Sequence, residues 1–366
     1  MLLSYTSLNR IQRPHLRRAI FLSALLIALG AVAGHPLSFL DGRHAHAQQT
    51  GPATYEAEIR TGQNFMRQRK FEDALKAFKR ANDLKGKTSP EALLLMANAY
   101  MGLDAFKTVA QTADKVIELA AADKNMQAEA YNLKGVAIQR QSDGKDQKKL
   151  QEAEAALRLG VAAKADYAEV KYNLGVVLLQ QSRDAEGIAE LKNYLELAPN
   201  HITAEDARKM IENPRRAREP FAPDFSVTTE EGEYISLDDL KGKVVLLDFW
   251  GTWCPPCVAS VPSLRELNKK YSKTETFVMV GISSDGDEDK WRDFIGKEKM
   301  VWPQFLDRQH AVQRAFRVNA FPTYIVLDHE GIIRFRTTGL SFDKEAALSD
   351  AINKQIKLLQ KTTPAN

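Results

Sequence analysis

The chain of 366 residues holds two cysteines, and both lie in one short string, Trp253, Cys254, Pro255, Pro256, Cys257. The string follows directly on the apolar run Val244 to Trp250. Each thiol has one possible partner in the chain. Two residues separate them and prolines open what comes next, so the spacing predicts a reversible disulfide at a strand-to-helix junction. Such a cross-link contributes little to stability, because it closes almost no loop in the unfolded chain. A structural zinc site would need four Cys or His ligands, and His201, His310 and His329 show no matching pair spacing. The chemistry indicated is thiol–disulfide exchange, with no cofactor.

The remaining composition bounds the setting. With 44% hydrophobic and 27% charged residues the chain is ordinary for globular protein, and its length suits two domains. The formal charge of +4 comes from the first 47 residues, where Arg10, Arg13, Arg17, Arg18 and Arg43 stand against Asp41 alone. The rest is balanced at zero, and no nucleic-acid partner is expected. After the basic start comes the uncharged run Ala19 to Ala33, then Ala45, His46, Ala47 before Gln48. This order predicts a secretory signal over residues 1–47, or the same segment kept as a membrane anchor, although the run is shorter than the ~18–20 apolar residues of a spanning helix. The expected location is therefore periplasmic or otherwise extracytoplasmic, where a lone CxxC is more often catalytic than architectural.

From Tyr55 to about Asn213 the pattern is helical, rich in Ala, Leu, Glu and Lys. Small residues recur at Gly62, Ala97, Gly135 and Gly175, spaced by 35, 38 and 40, with Phe65, Tyr100, Ile138 and Leu178 each three further on. These are two-helix units. Ala74, Phe78 and Ala81 fall on the second helix of the first, and Gly187, Leu191, Tyr194 and Pro199 close the last. The pattern resembles tetratricopeptide repeats over residues 55–200. The second unit departs from it with Val109 and Val116 at the two alanine positions, and the third with the polar stretch Asp143 to Lys149. Stacked repeats of this kind leave a concave surface that holds a peptide or another protein, and Ala204 to Ile211 would cap the last one. An alternative is a generic bundle, or a spacer with no ligand of its own.

Two prolines and a charge cluster, Asn213 to Pro220, then break the helical pattern and mark a linker over residues 213–222, its arginines read as solvated surface. Past it, Asp224 to Ser236 carries two alternating runs about Glu231 and Gly232, which suit a hairpin. The core strand at Val244, a helix from Cys257 to Lys270, a strand from Thr276 to Ser283, two helical stretches, strands Thr323 to Leu327 and Ile332 to Thr337, and a final helix Ala346 to Leu359 make an α/β sandwich.

Here the likeness becomes specific. The opening Pro223, Asp224, Phe225, the strand leading into Trp250, the dithiol with Val261 and Pro262 after it, and Phe321, Pro322, Thr323 together resemble a thioredoxin-fold oxidoreductase, nearest to the TlpA-like and ResA-like extracytoplasmic redoxins. The resemblance covers about residues 221–360. The whole is thus expected as an all-α repeat domain over 48–212 and a thioredoxin-like α/β domain over 223–366. The length from Val280 to Pro322 fits the branch in which an inserted element joins the two halves.

The resemblance implies the site residues. Cys254 is the exposed nucleophile and Cys257 the more buried resolving thiol, consistent with a helix N-terminus stabilising a thiolate at its first residue. Pro322 is the cis-proline facing the dithiol, and the backbone of Phe321 pairs with a bound substrate chain. Thr323 and Trp253 border that substrate surface. Asp248, six residues before Cys254, matches the buried acid that takes the proton from the resolving cysteine. Its alternative is a structural acid paired with a lysine or water. The implied partners are a disulfide-containing client, a membrane or periplasmic thiol donor and a protein or peptide held by the repeats.

Direction is read from the residues between the cysteines. Strong oxidants of this fold usually place a histidine there, and this chain has Pro255 and Pro256, which argues for a reductant. A peroxidase of the same fold is the nearest rival. Its Pro-x-x-x-Thr-x-x-Cys signature fails, with Leu247 and Gly251 at the proline and threonine positions. A rival of another class is a client-binding scaffold whose redoxin domain is secondary.

Overall fold

Four of the nine helices described in the N-terminal half start at side-chain caps written into the sequence. Thr54 Oγ1 accepts from the Ala57 amide and Ser89 Oγ from the Ala92 amide, with Pro90 opening its helix. The Asp123 carboxylate accepts from Asn125 and Met126, and Asp146 from Lys148 and Lys149, each satisfying amides that a helix start leaves unpaired. The computed structural model describes residues 54–142, 144, 146–339 and 341–362. The expected leader over 1–47 lies outside them, as do Asp143 and Lys145 of the polar stretch. The chain divides into two units between Arg218 and Glu219.

In the first unit α1 (Tyr55–Arg67) pairs with α2 (Phe71–Leu84), and α3 (Pro90–Gly102) with α4 (Phe106–Leu119). In the same way α5 (Lys124–Gln141) pairs with α6 (Gln147–Ala163), and α7 (Ala168–Gln180) with α8 (Asp184–Leu197). The small residues sit where paired helices meet. A Cβ on Gly62 would lie 2.3 Å from the Phe78 ring, and one on Gly175 would lie 3.0 Å from the Gly187 carbonyl. Ala97 is fully buried, as are Val109 and Val116 of the second pair. A further repeat is visible only in the backbone: Arg69, Asp104, Gly144 and Ser182 turn each pair at φ 58°, 56°, 72° and 62°. The α5 and α6 helices, 18 and 17 residues long, accommodate the extra polar length of the third unit. α9 (Ala204–Glu212) buries Ala207 and Met210 with Leu191 and Tyr194, and so covers the last pair.

The segment 213–222 corrects the expectation of a solvated linker. Pro214–Ala217 forms a 3-10 turn. The Gln180 side chain donates to the Ala217 carbonyl at 3.3 Å, and Arg218 donates to the Leu179 carbonyl at 2.6 Å and pairs with Asp184. A cation that satisfies both a helix-end carbonyl and a carboxylate is structural rather than solvated surface. Past the division, Phe221 bridges Ile332, and the Ala222 amide donates to the Gly331 carbonyl at 2.8 Å.

The second unit opens with an antiparallel hairpin, β1 (Ser226–Thr228) and β2 (Tyr234–Ser236), turned through Gly232 at φ 83°. Then follow β3 (Val244–Trp250), α10 (Pro255–Tyr271), β4 (Phe277–Ser283), α11 (Glu288–Lys297), β5 (Gln304–Leu306) and α12 (Ala311–Ala315). β6 (Thr323–Leu327), β7 (Ile333–Thr338) and α13 (Phe342–Thr362) complete it. The main sheet runs β5-β4-β3-β6-β7, parallel from β5 to β3 and antiparallel from β3 to β7. This is the thioredoxin-like order that the resemblance implied, and the long stretch between β4 and β6 carries α11, β5 and α12. β3 is buried along its whole length, and successive side chains alternate faces. Val245, Leu247 and Phe249 pack with the hairpin and α12. Val244, Leu246 and Trp250 pack with α10 and α13, in the same cluster as both cysteines. By that alternation Asp248 is on the cysteine side.

Candidate active site

The dithiol is placed by the end of β3 and the start of α10. Cys254 is the residue just before the helix, and Pro255 and Pro256 form its first turn, where their lack of an amide proton costs nothing. The cysteines are joined as a disulfide, with Cα atoms 5.3 Å apart. The Cys257 amide donates to Cys254 Sγ at 3.3 Å. Because both prolines lack an N–H, this amide is the first in the helix able to face the sulfur. A thiolate at Cys254 would gain that bond and the positive end of the helix.

The expected contrast in exposure is not present in the disulfide form: Cys254 is 4% and Cys257 2% exposed. The reason is local, since both sulfurs turn into the cluster under α10 that also holds Trp250 and Val261. What is exposed is Trp253, at 53%, whose indole meets the half-buried Phe321 edge to face with centroids 5.3 Å apart. Gly251 permits this pose, because a Cβ there would lie 2.6 Å from the Trp253 indole nitrogen. The Phe321–Pro322 peptide bond is cis. Thr323 departs from its expected role. It is 1% exposed, its hydroxyl donates to the Ala320 carbonyl at 2.7 Å and lies 3.1 Å from that of Thr338, so its side chain has nothing to offer a substrate. Trp253 and Phe321 remain as the ring surface beside the dithiol.

Asp248 is 1% exposed, and neither carboxyl oxygen has a hydrogen-bond partner among the described residues. The lysine pairing weighed against the base role is absent there. Burial pushes its pKa up to about 8, as expected for a carboxyl taken from water with no compensating partner. Its cross-strand neighbour on β6 is Tyr324. The Tyr324 phenol, also raised by burial and by the Asp248 charge, donates to Ser260 Oγ at 2.8 Å. The Ser260 hydroxyl donates in turn to the Cys257 carbonyl at 2.7 Å. β6 is thereby tied to the first turn of the cysteine helix.

A second support was not found from the sequence. Asp285, 4% exposed, accepts from the Thr252 amide at 3.0 Å and its hydroxyl at 2.6 Å, and from the Ser283 hydroxyl at 2.7 Å. It fixes the backbone just ahead of Trp253 and Cys254. The only signal would have been an acid two residues past the strand beside β3, which reads equally well as loop. Gln304, fully buried, accepts from the Trp250 indole at 3.2 Å and fills the space that Gly281 leaves beside it. Among the described residues no cluster of His, Cys, Asp and Glu could hold a metal ion.

This arrangement can form and break a disulfide at Cys254 and move a proton at Asp248. Comparison with known proteins bears on the thiol–disulfide chemistry alone. The family model described as Redoxin matches residues 217–352. The chain is 37% identical over 125 residues to the thioredoxin-like protein YneN of Bacillus subtilis, covering 34% of this chain and 73% of that one. It is 33% identical over 144 residues to the thiol-disulfide oxidoreductase ResA of Bacillus cereus, covering 39% and 77%. A solved structure of a thiol-disulfide oxidoreductase from Bacteroides fragilis is 30% identical, with a TM-score of 0.32 over 38% of this chain and 98% of that one. With its dithiol at the head of α10, the chain belongs to the redoxin family as a ResA-like thiol-disulfide oxidoreductase.

Proposed function

We propose that this oxidoreductase works outside the cytoplasm and reduces disulfides of client proteins, while its helical repeats hold a protein partner. The observation that carries the reducing direction is the sparse support of the Cys254 sulfur. Among the described residues it receives one amide, from Cys257, and the two prolines supply none. Oxidants of high potential owe their strength to a stabilised reduced form, and less stabilisation of the thiolate favours giving electrons away. The basic and apolar order of residues 1–47 supports export. The close-packed helix pairs, each turned by a left-handed residue, support the tetratricopeptide reading of the first unit.

In this reading the Cys254 thiolate attacks one sulfur of a client disulfide. The Cys254–client bond forms, the client S–S bond breaks, and one client thiolate leaves. Asp248, as carboxylate, takes the proton of Cys257. The Cys257 sulfur then attacks Cys254, which releases the second client thiol and leaves the Cys254–Cys257 disulfide. Two electrons have passed to the client, and a thiol donor restores the dithiol. Trp253 and Phe321 flank the approach, and the Phe321 backbone offers an edge to an extended client segment.

The test is covalent. Reduced full chain carrying Cys257→Ser, mixed with a disulfide-containing protein such as insulin, should accumulate a mixed disulfide on Cys254 that dithiothreitol releases. Cys254→Ser should accumulate none. An adduct that forms through Cys257, or no adduct at all, contradicts the assignment.

A further inference from the structure

The first unit contains a cavity that the redox chemistry leaves unused. It measures about 90 Å³ and is lined by α3, α5, α7 and α8 together with the turn that leads into α9. The size suits the end of one side chain rather than a folded surface. Two carboxylates, Glu129 and Glu169, and three aromatic rings, Tyr167, Tyr172 and Tyr194, line it. Neither lysine nor arginine is among its lining residues.

The polar groups around it are already arranged. The Tyr194 hydroxyl lies 2.7 Å from that of Thr203 and 3.0 Å from His201 Nδ1, and its ring meets Tyr172 edge to face at 5.2 Å. On the opposite side Asn173 donates to the Asn132 side-chain oxygen Oδ1 at 2.8 Å, and the Asn98 side chain donates to the Leu94 carbonyl at 3.1 Å. Two cations of the same unit are engaged elsewhere, Lys171 with Glu190 at 3.7 Å and Arg208 with the Pro199 carbonyl at 2.8 Å. Glu129 therefore keeps a half-buried carboxyl in the same cavity as Glu169. Burial and the Glu169 charge both raise its pKa, and both carboxylates raise that of Tyr167.

A partly desolvated pair of like charges with no lysine or arginine among the described lining residues is costly, and a cation entering between them offsets the cost. Aromatic faces add to the attraction for an ammonium or guanidinium. We propose that this cavity receives the basic side chain, lysine or arginine, of an extended partner segment. The assignment rests on the reading that the helical unit holds a partner and adds to it the chemistry that selects one. The charge complement and the volume decide for a single basic side chain over an acidic or an apolar one.

The test uses the oxidised full chain and fluorescein-labelled, end-capped decapeptides that differ only at one central position, lysine, arginine, norleucine or glutamate. Fluorescence anisotropy at physiological salt is followed into the ~1 mM range of weak binding. The lysine and arginine peptides should bind at least tenfold more tightly than the other two. Glu129→Gln combined with Glu169→Gln should abolish that advantage. Asn173→Lys, which supplies a tethered cation in place of an amide, should block the basic peptides while leaving the helical signal intact. Equal binding of the norleucine peptide overturns the cationic site and leaves the partner-holding reading in place. No binding by any peptide, or a preference that survives the double glutamine variant, overturns the site outright. The same preparations, reduced and carrying Cys257→Ser, report the redox reading separately, since client trapping on Cys254 does not depend on this cavity.

Discussion

Asp248 and Tyr324 stand opposite each other across the β3–β6 pair, yet the phenol donates to Ser260 and the carboxyl has no hydrogen-bond partner among the described residues. The tyrosine is committed to the cysteine helix. The acid is left buried with its pKa pushed up to about 8, in a range where it can exchange a proton at ordinary pH.

The first prediction concerns stability. An unfolded aspartate titrates near ~3.9 and the folded one at about 8, so the folded state keeps a proton that the unfolded state releases between those values. Stability should therefore fall as pH rises through that window. Asp248→Asn removes the penalty, and its melting temperature should exceed that of the parent at pH 8 by an amount corresponding to several kcal/mol. The advantage should vanish below about pH 4. Thermal unfolding of both proteins across that range checks it, and a gap independent of pH would contradict it.

The same substitution should slow the reaction at one step. With no carboxylate to take the Cys257 proton, the mixed disulfide should persist, while its formation at Cys254 is unchanged. General-base assistance typically supplies about 10²–10⁴-fold, and a slowing toward that range is expected in quenched-flow measurements of mixed-disulfide decay. Faster decay, or slowed formation alone, would place Asp248 outside the proton path.

Asp285 should matter for geometry. Its three donors come from Thr252 and Ser283, and hydrogen bonds to a charged acceptor are worth ~1.5–3 kcal/mol each. Asp285→Asn should lower the stability of the second unit by about 2 kcal/mol and slow attack by Cys254, read by thermal unfolding and by the rate of adduct formation. Unchanged attack with the stability loss would confine Asp285 to a structural role.

Gly62→Val should act only on the helical unit. Its Cβ would fall 2.3 Å from the Phe78 ring, and overpacking of this kind costs about 1–3 kcal/mol. Helical circular dichroism should melt earlier, while client trapping on Cys254 in the Cys257→Ser background stays the same.

How far the sequence reached can be judged residue by residue. The dithiol and the buried Asp248 were legible, because a unique thiol pair and an acid inside an apolar strand are chemical anomalies in any sequence, whereas the cis peptide at Pro322 was expected only through the family resemblance. The β6 strand was read to the residue, from a β-branched and aromatic run that follows a proline. Thr323 was misplaced because adjacency to Pro322 says nothing about which face a side chain takes, and pairing with Thr338 turns its hydroxyl inward. The near-equal burial of the two cysteines was missed because exposure depends on what the disulfide packs against. Asp285 escaped notice because two of its three donors belong to Thr252, 33 residues away, a relation that only the β3–β4 pairing creates. Arg218 was read as solvated because its carboxylate, Asp184, belongs to a helix 34 residues earlier.

The reducing direction is tested most directly by the equilibrium reduction potential of the Cys254–Cys257 couple in the full chain, titrated against glutathione and dithiothreitol buffers. With one amide at the Cys254 sulfur, a value near or below about −250 mV is predicted, close to the ~−270 mV of thioredoxin. Pro256→His should raise it by tens of millivolts, since a restored amide and an imidazolium both favour the thiolate, and ~30 mV corresponds to a tenfold change in the equilibrium. A parent value near about −120 to −180 mV would mark an oxidant or isomerase and contradict the proposed flow of electrons to the client.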